Sequence, residues 1–171
     1  ITIGGTPLTA GWSASSGKIT FTPSSSTPAG LLQTAGSKSI VVAATGYTDA
    51  TVTQSIGFGA ATKLAITQQP TAPASNGAVL AQQPTIAIQD QYGNTVTSSS
   101  ASVTAAVGSG TWTIGGTTNP AASSGVATFT NLTATSAAAV TGATINFSSS
   151  GLTGITSNTF NIPAPAPAND L

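Results

Sequence analysis

Residues 86 to 96 read Ile86-Ala87-Ile88-Gln89-Asp90-Gln91-Tyr92-Gly93-Asn94-Thr95-Val96, and their pattern decides the fold. Ile86 and Ile88 recur at the two-residue period of a half-buried strand. The run then enters Asp90 to Asn94, where Asp, Gly and Asn favour positive φ and side-chain-to-backbone hydrogen bonds, so a strand ends in a tight turn. The same grammar holds on both sides. Residues 63–69, 79–82 and 85–90, then 102–107, 111–114, 125–130, 140–147 and 157–162, read as short strands between Gly, Pro, Ser and Asn clusters. Turn signals about every ten residues are the pattern of a β-sandwich. No helical periodicity of useful length occurs.

Toward the N-terminus, residues 1–3, 18–22, 39–44 and 51–56 read as strands, with Ile19 and Phe21 on one face and Val52 and Ile56 on another. The pattern breaks at Gly57-Phe58-Gly59-Ala60-Ala61 and restarts at Lys63. The expectation is an all-β chain of two tandem immunoglobulin-like sandwich modules: a small one at 1–60, open to further strand before Ile1, a larger one at 61–162, and a Pro/Ala-rich linker or tail at 163–171. Pro163-Ala164-Pro165-Ala166-Pro167-Ala168 favours polyproline II, a semi-rigid spacer.

Composition narrows the function classes. Charged residues are 4% of the 171-residue chain, with three Lys against three Asp and no Arg, Glu or His; an ordinary soluble protein carries about 25%. Lys18, Lys38 and Lys63 are too few and too scattered to neutralise phosphates, so nucleic acid is excluded as a partner. No run approaches the roughly 18 apolar residues of a transmembrane helix, so membrane insertion is not expected. Cysteine is absent, which removes disulfides and thiolate metal sites. The chain opens on Ile1 without a signal-like segment, which reads as a processed piece of a longer parent. Ser and Thr supply roughly a third of the residues, and a surface this neutral tends to associate. Copies of itself, neighbouring modules of a longer chain and glycan are therefore the expected partners, at an extracellular, cell-surface location.

Catalytic groups are scarce. Without His, Cys or Glu there is little to transfer protons or to activate a nucleophile. A glycosidase-type pair would have to recruit Asp49 and Asp90 from different modules, so the chain reads as non-enzymatic, with no catalytic, cofactor or metal residues and no cofactor. Asp90 with Asn94 supplies one carboxylate where Ca²⁺ takes 6 to 8 oxygen ligands, and a tight turn explains the pair better. A sharper idea is an internal isopeptide bond joining Lys63 to Asn158 or Asn161 beside Asp90, which would need the first and last strands side by side in an apolar pocket; an exposed strand-edge Lys63 is the simpler reading. Trp12 and Trp112 could stack on sugar rings, but Trp112 alternates with Ile114 and reads as core. Asn131-Leu132-Thr133 and Asn146-Phe147-Ser148 match the N-glycosylation acceptor, in or beside strands.

Residues 63–162 resemble the bacterial immunoglobulin-like repeats of invasins, intimins and large adhesins. The likeness is carried by the 86–96 stretch and by Gly125-Val126-Ala127-Thr128-Phe129, with Lys63-Leu64-Ala65-Ile66-Thr67-Gln68-Gln69-Pro70 opening and Ser157-Asn158-Thr159-Phe160-Asn161-Ile162 closing the module. Residues 1–60 resemble small β modules of bacterial surface proteins, through Leu8-Thr9-Ala10-Gly11-Trp12, Gly17-Lys18-Ile19-Thr20-Phe21, Ala35-Gly36-Ser37-Lys38-Ser39-Ile40 and Ala44-Thr45-Gly46-Tyr47-Thr48-Asp49. The resemblance implies a structural subunit or stalk of a fibre, surface layer or adhesin shaft, self-associating through β-edges. The alternative is an adhesin module that binds host glycan or protein through loops 22–30, 117–124 and 148–153.

Overall fold

The computed structural model describes residues 1–8, 12–16, 18–21 and 33–167. The described residues form strands, turns and extended segments without a helix. The fold is all-β. It divides into two compact units, residues 1–59 with 92–94, and residues 60–91 with 95 onward.

The first unit holds β1 (Thr2–Ile3), β2 (Thr6–Pro7), β3 (Trp12–Ser15), β4 (Lys18–Phe21), β5 (Gly36–Val42) and β6 (Ala50–Ile56). One antiparallel sheet runs in the order β2-β1-β5-β6, and β3 and β4 pair as a separate hairpin. Pairing of Ile3 with Ile40, and of Ile40 with Val52, aligns these three on one face. Ile3 and Leu8 are buried there. Thr2, Val41 and Thr51 line the opposite face.

The second unit holds β7 (Lys63–Gln68), β8 (Thr85–Gln89), β9 (Thr104–Ser109), β10 (Thr113–Gly115), β11 (Val126–Thr128), β12 (Thr133–Thr135), β13 (Val140–Ser148), β14 (Ile155–Thr156) and β15 (Phe160–Ile162). A three-stranded sheet β11-β8-β7 supplies Leu64, Ile86, Ile88 and Ala127 to the core. A second sheet, built on β13 with β9, β14 and β15, supplies Ala105, Ala143, Ile145, Phe147, Phe160 and Ile162. β10 and β12 form a small ribbon. Along β13 the residues Ala143, Ile145 and Phe147 are buried and their neighbours are not, as a strand with one face on a core requires.

Several strand boundaries differ from the sequence reading for local reasons. Residues 79–82 form no strand: Leu80 and Val79 make isolated bridges to Pro73 and Thr133. Of residues 157–162 only Phe160–Ile162 form a strand, β15, and the two-residue β14 (Ile155–Thr156) precedes them; between the two, the Ser157 hydroxyl takes the Ile145 N–H (3.0 Å) in place of a backbone carbonyl. β5 begins at Gly36 and ends at Val42. β3 and β12 escaped the reading because short Ser/Ala and Thr/Ala stretches lack apolar alternation. The 86–96 stretch behaves as read: β8 ends at Gln89, Gly93 has φ of 89°, and the chain returns with the Val96 N–H donating to the Ile88 carbonyl (2.9 Å).

Gly125 closes the same region. Its φ is +77°, and a Cβ there would stand 2.5 Å from the Val96 carbonyl oxygen, a backbone atom that cannot swing aside. Gly125→Ala is expected to cost about 2 kcal/mol, read as a lower urea midpoint at unchanged slope.

The Gln83 side chain does the work of a missing strand. Its amide donates to the Leu80 and Leu132 carbonyls (3.1 Å each) and its oxygen accepts the Leu132 N–H (2.9 Å). Leu132 is fully buried, so Gln83→Ala strands its N–H, at about 1–3 kcal/mol. Gln83→Glu keeps the acceptor but turns a carboxylate oxygen onto the Leu80 and Leu132 carbonyls, so it should not recover the urea stability that Gln83→Ala loses.

Candidate binding site

The feature best suited to contact another molecule lies at the β5–β6 hairpin end. The two strands pair without a break from Gly36 with Ile56 to Val42 with Ala50. Their connection, residues 43–49, carries Tyr47. The Tyr47 N–H donates to the Ala44 carbonyl (3.1 Å), and Gly46 has φ of 83°, the positive value a type II turn needs at its third residue. This turn presents Tyr47 at 81% exposure. A tyrosine has few rotatable bonds, a broad apolar ring and a hydroxyl that donates and accepts, which is why it recurs as an interface anchor. Thr48 and Asp49 follow, both exposed. The site can recognise a surface. Beside it the sequence places no histidine, cysteine or second carboxylate for proton transfer.

The other sequence-derived candidates fall elsewhere. Asp90 is buried at 1% exposure, and no buried side-chain nitrogen or oxygen among the described residues lacks a hydrogen-bond partner. Lys63 points its ammonium at the Gln91 carbonyl (3.3 Å) and bridges Thr153. Asn158 lies by Gln69, whose side chain accepts its N–H (2.9 Å). Asn161 accepts the Gly142 N–H (3.1 Å). β7 pairs with β8, and β15 with β13. The first and last strands of this unit are therefore not neighbours over their length, and the geometry required for a Lys63–Asn isopeptide is not assembled. No cluster of three His, Cys, Asp or Glu occurs among the described residues.

Trp112 is a core residue. Its indole donates to the Ser109 carbonyl (2.8 Å), and its ring meets Phe160 edge-on at 5.8 Å. It also edges an open groove of about 400 Å³ lined by Thr111, Thr113, Thr135, Ser136 and Ala137, which offers no charged group. The backbone of Trp12 pairs with Phe21. Loop 22–30 lies outside the described residues. Loops 117–124 and 148–153 are tied back, with Thr118 and Pro120 carbonyls accepting the Ala105 and Val103 N–H groups and Ser149 donating to the Ser102 carbonyl (2.8 Å). The glycosylation-type Asn131 accepts the Thr117 N–H (2.8 Å), and Asn146 accepts the Thr156 hydroxyl (2.7 Å); both side chains are exposed but engaged.

Sequence reasoning did not single out Tyr47 as an exposed residue of the β5–β6 turn. The signal was present: one of two tyrosines in the chain, beside a Gly, between two strands. Asn76 also went unnoticed. Its amide donates to the Ser136 and Pro163 carbonyls (3.0 and 2.8 Å), which fastens the start of the Pro-rich tail.

Comparison with known proteins gives one family match. Residues 1–57 match the model described as heme-binding protein Shr-like, Hb-interacting domain. No curated protein matches the chain. Among solved structures, a β-glycosidase from Bacteroides vulgatus is similar at 14% identity and a TM-score of 0.46, over 89% of this chain and 19% of that one. A β-glucuronidase from Parabacteroides merdae is similar at 13% identity and a TM-score of 0.41, over 67% of this chain and 15% of that one. The chain spans less than a fifth of the length of either enzyme. Residues 1–57, most of the first unit, are thus similar to a family whose description names interaction with Hb.

Proposed function

We propose that this chain is a non-catalytic piece of an extracellular bacterial surface protein, in which the first module binds haemoglobin or a related globin through the β5–β6 hairpin end and the second is an invasin-like spacer. The observation that carries this reading is the match of residues 1–57 to an Hb-interacting domain. The exposed Tyr47 supplies an anchor of the kind protein interfaces use. The low charge and the scarcity of proton-transfer groups agree with a role without catalysis.

The partner in this reading is the protein rather than free haem. Haem iron is held by His, Cys, Met or Tyr, and the chain has none of the first three. The two tyrosines, Tyr47 and Tyr92, are 81% and 53% exposed, so the residues present do not fit an enclosed haem pocket. Titrating the whole chain with haemoglobin by calorimetry, and separately with haem alone, tests this. Saturable binding to haemoglobin without a haem Soret shift is the expected pair of results; binding to haem alone, or to neither, overturns it.

A second reading, a structural subunit that self-associates through β-edges in a fibre, lattice or shaft, is favoured by one observation. Val52, on the apolar face of the edge strand β6, remains 58% exposed.

A further inference from the structure

We infer that β6 pairs antiparallel with β6 of a second copy of this chain, in a two-fold register centred on Gln54. The inference rests on the reading that copies associate through a β-edge, and it names the edge and the register.

β6 ends its sheet. It pairs with β5 on one side, and among the described residues no strand pairs with its other side. An edge normally carries a protective device: a charge, a proline, a bulge or a short length. β6 is seven residues, Ala-Thr-Val-Thr-Gln-Ser-Ile, without charge or proline, and its register with β5 shows no bulge. The Gln54 side chain turns back on the neighbouring Ser55 carbonyl (3.0 Å), a local bond that a partner strand's donor could replace. The apolar stripe also runs off the sheet: Ile3 is 1% exposed, Ile40 is half-buried, and Val52, next in the row, is 58% exposed. A further strand would cover it.

The sequence of β6 selects the occupant. In an antiparallel pair, residues opposite one another share a face, and hydrogen-bonding groups alternate along each strand, so like parity must face like parity. Centring on Gln54 satisfies this. It sets Val52 against Ile56 of the second copy and Ile56 against Val52, Gln54 against Gln54, and Thr53 against Ser55. Apolar meets apolar, amide meets amide and hydroxyl meets hydroxyl, the favourable classes of cross-strand pair. Charge also permits it. Lys38 pairs with Gln54 from β5, one strand behind the seam, so the two lysines are about 14 Å apart, three strand spacings, beyond the roughly 8–10 Å screening length. Asp49 lies outside the paired stretch.

The chain has no cysteine, so one introduced thiol reports the register. In full-length Gln54→Cys the two Cα atoms would be about 4.5–5.5 Å apart, within disulfide reach; in Ser55→Cys they would be about 8 Å apart, beyond it. Sedimentation velocity should show a concentration-dependent dimer. Mild oxidation should cross-link Gln54→Cys and leave Ser55→Cys monomeric on denaturing gels. Val52→Lys should raise the dimer dissociation constant at least about tenfold, with an unchanged circular dichroism spectrum. Dimers in which Gln54→Cys does not cross-link, or which Val52→Lys leaves intact, would overturn this register while edge association stands. A chain that stays monomeric at millimolar concentration would overturn both.

Discussion

Phe129→Ala is expected to remove about 3–5 kcal/mol from the stability of the second unit, a large share of the roughly 5–15 kcal/mol that holds a typical domain together. Phe129 and Phe147 are each 1% exposed, and their rings meet at 5.4 Å with a 54° tilt. They come from opposite sides of the core, Phe129 just after β11 and Phe147 from β13. The Phe129 N–H is also tied to the Pro84 carbonyl (3.1 Å), and β13 is held by β9, β14 and β15. Backbones pinned by ladders cannot close on the void, so the transfer and cavity terms both apply. Phe129→Leu keeps most of the volume and should cost about 1.5 kcal/mol or less. Urea denaturation gives the size of the loss. Hydrogen exchange followed by peptide shows where it falls: deprotection confined to residues 60–167 is expected of two independently folding modules, and deprotection of both units would mean that they unfold as one.

Tyr47→Ala should weaken haemoglobin binding about 30-fold or more, since truncating an anchoring tyrosine costs at least about 2 kcal/mol. The substitution leaves the fold in place, because a side chain 81% exposed contributes little burial and the turn is closed by backbone, from the Tyr47 N–H to the Ala44 carbonyl. Tyr47→Phe separates the ring from the hydroxyl. Retained affinity there assigns the anchor to apolar area, and an equal loss assigns it to a hydrogen bond. Thermal melts of all three proteins should coincide. Unchanged binding by Tyr47→Ala would move the contact away from this turn.

The parts of the fold legible in the sequence are those where one physical signal acts alone. Ile86 and Ile88, and Ala143, Ile145 and Phe147, alternate because each strand has one face on the core, and Asp90 to Asn94 forms a turn because Gly93 takes a positive φ. Signals failed where side chains stand in for backbone. Residues 79–82 have strand-like composition, but the Gln83 side chain takes the Leu132 N–H that a ladder would have used, and the Ser157 hydroxyl likewise takes the Ile145 N–H ahead of the last strand. The proposed pairing of Lys63 with Asn158 or Asn161 needed to know which strands are neighbours, and local pattern carries no such information. Tyr47 looked like part of a repeat motif: its place beside Gly46 between two strands marks a turn, but does not say whether the ring packs or stands in solvent.

In the proposed function the first unit carries the partner site. Hydrogen exchange of the full chain with and without saturating haemoglobin tests it most directly, since it locates the footprint without altering a residue. Slowed exchange is expected at residues 43–50, with the amides of β8, β11 and β13 unchanged. A footprint on the second unit, or no footprint at saturating haemoglobin, would contradict it.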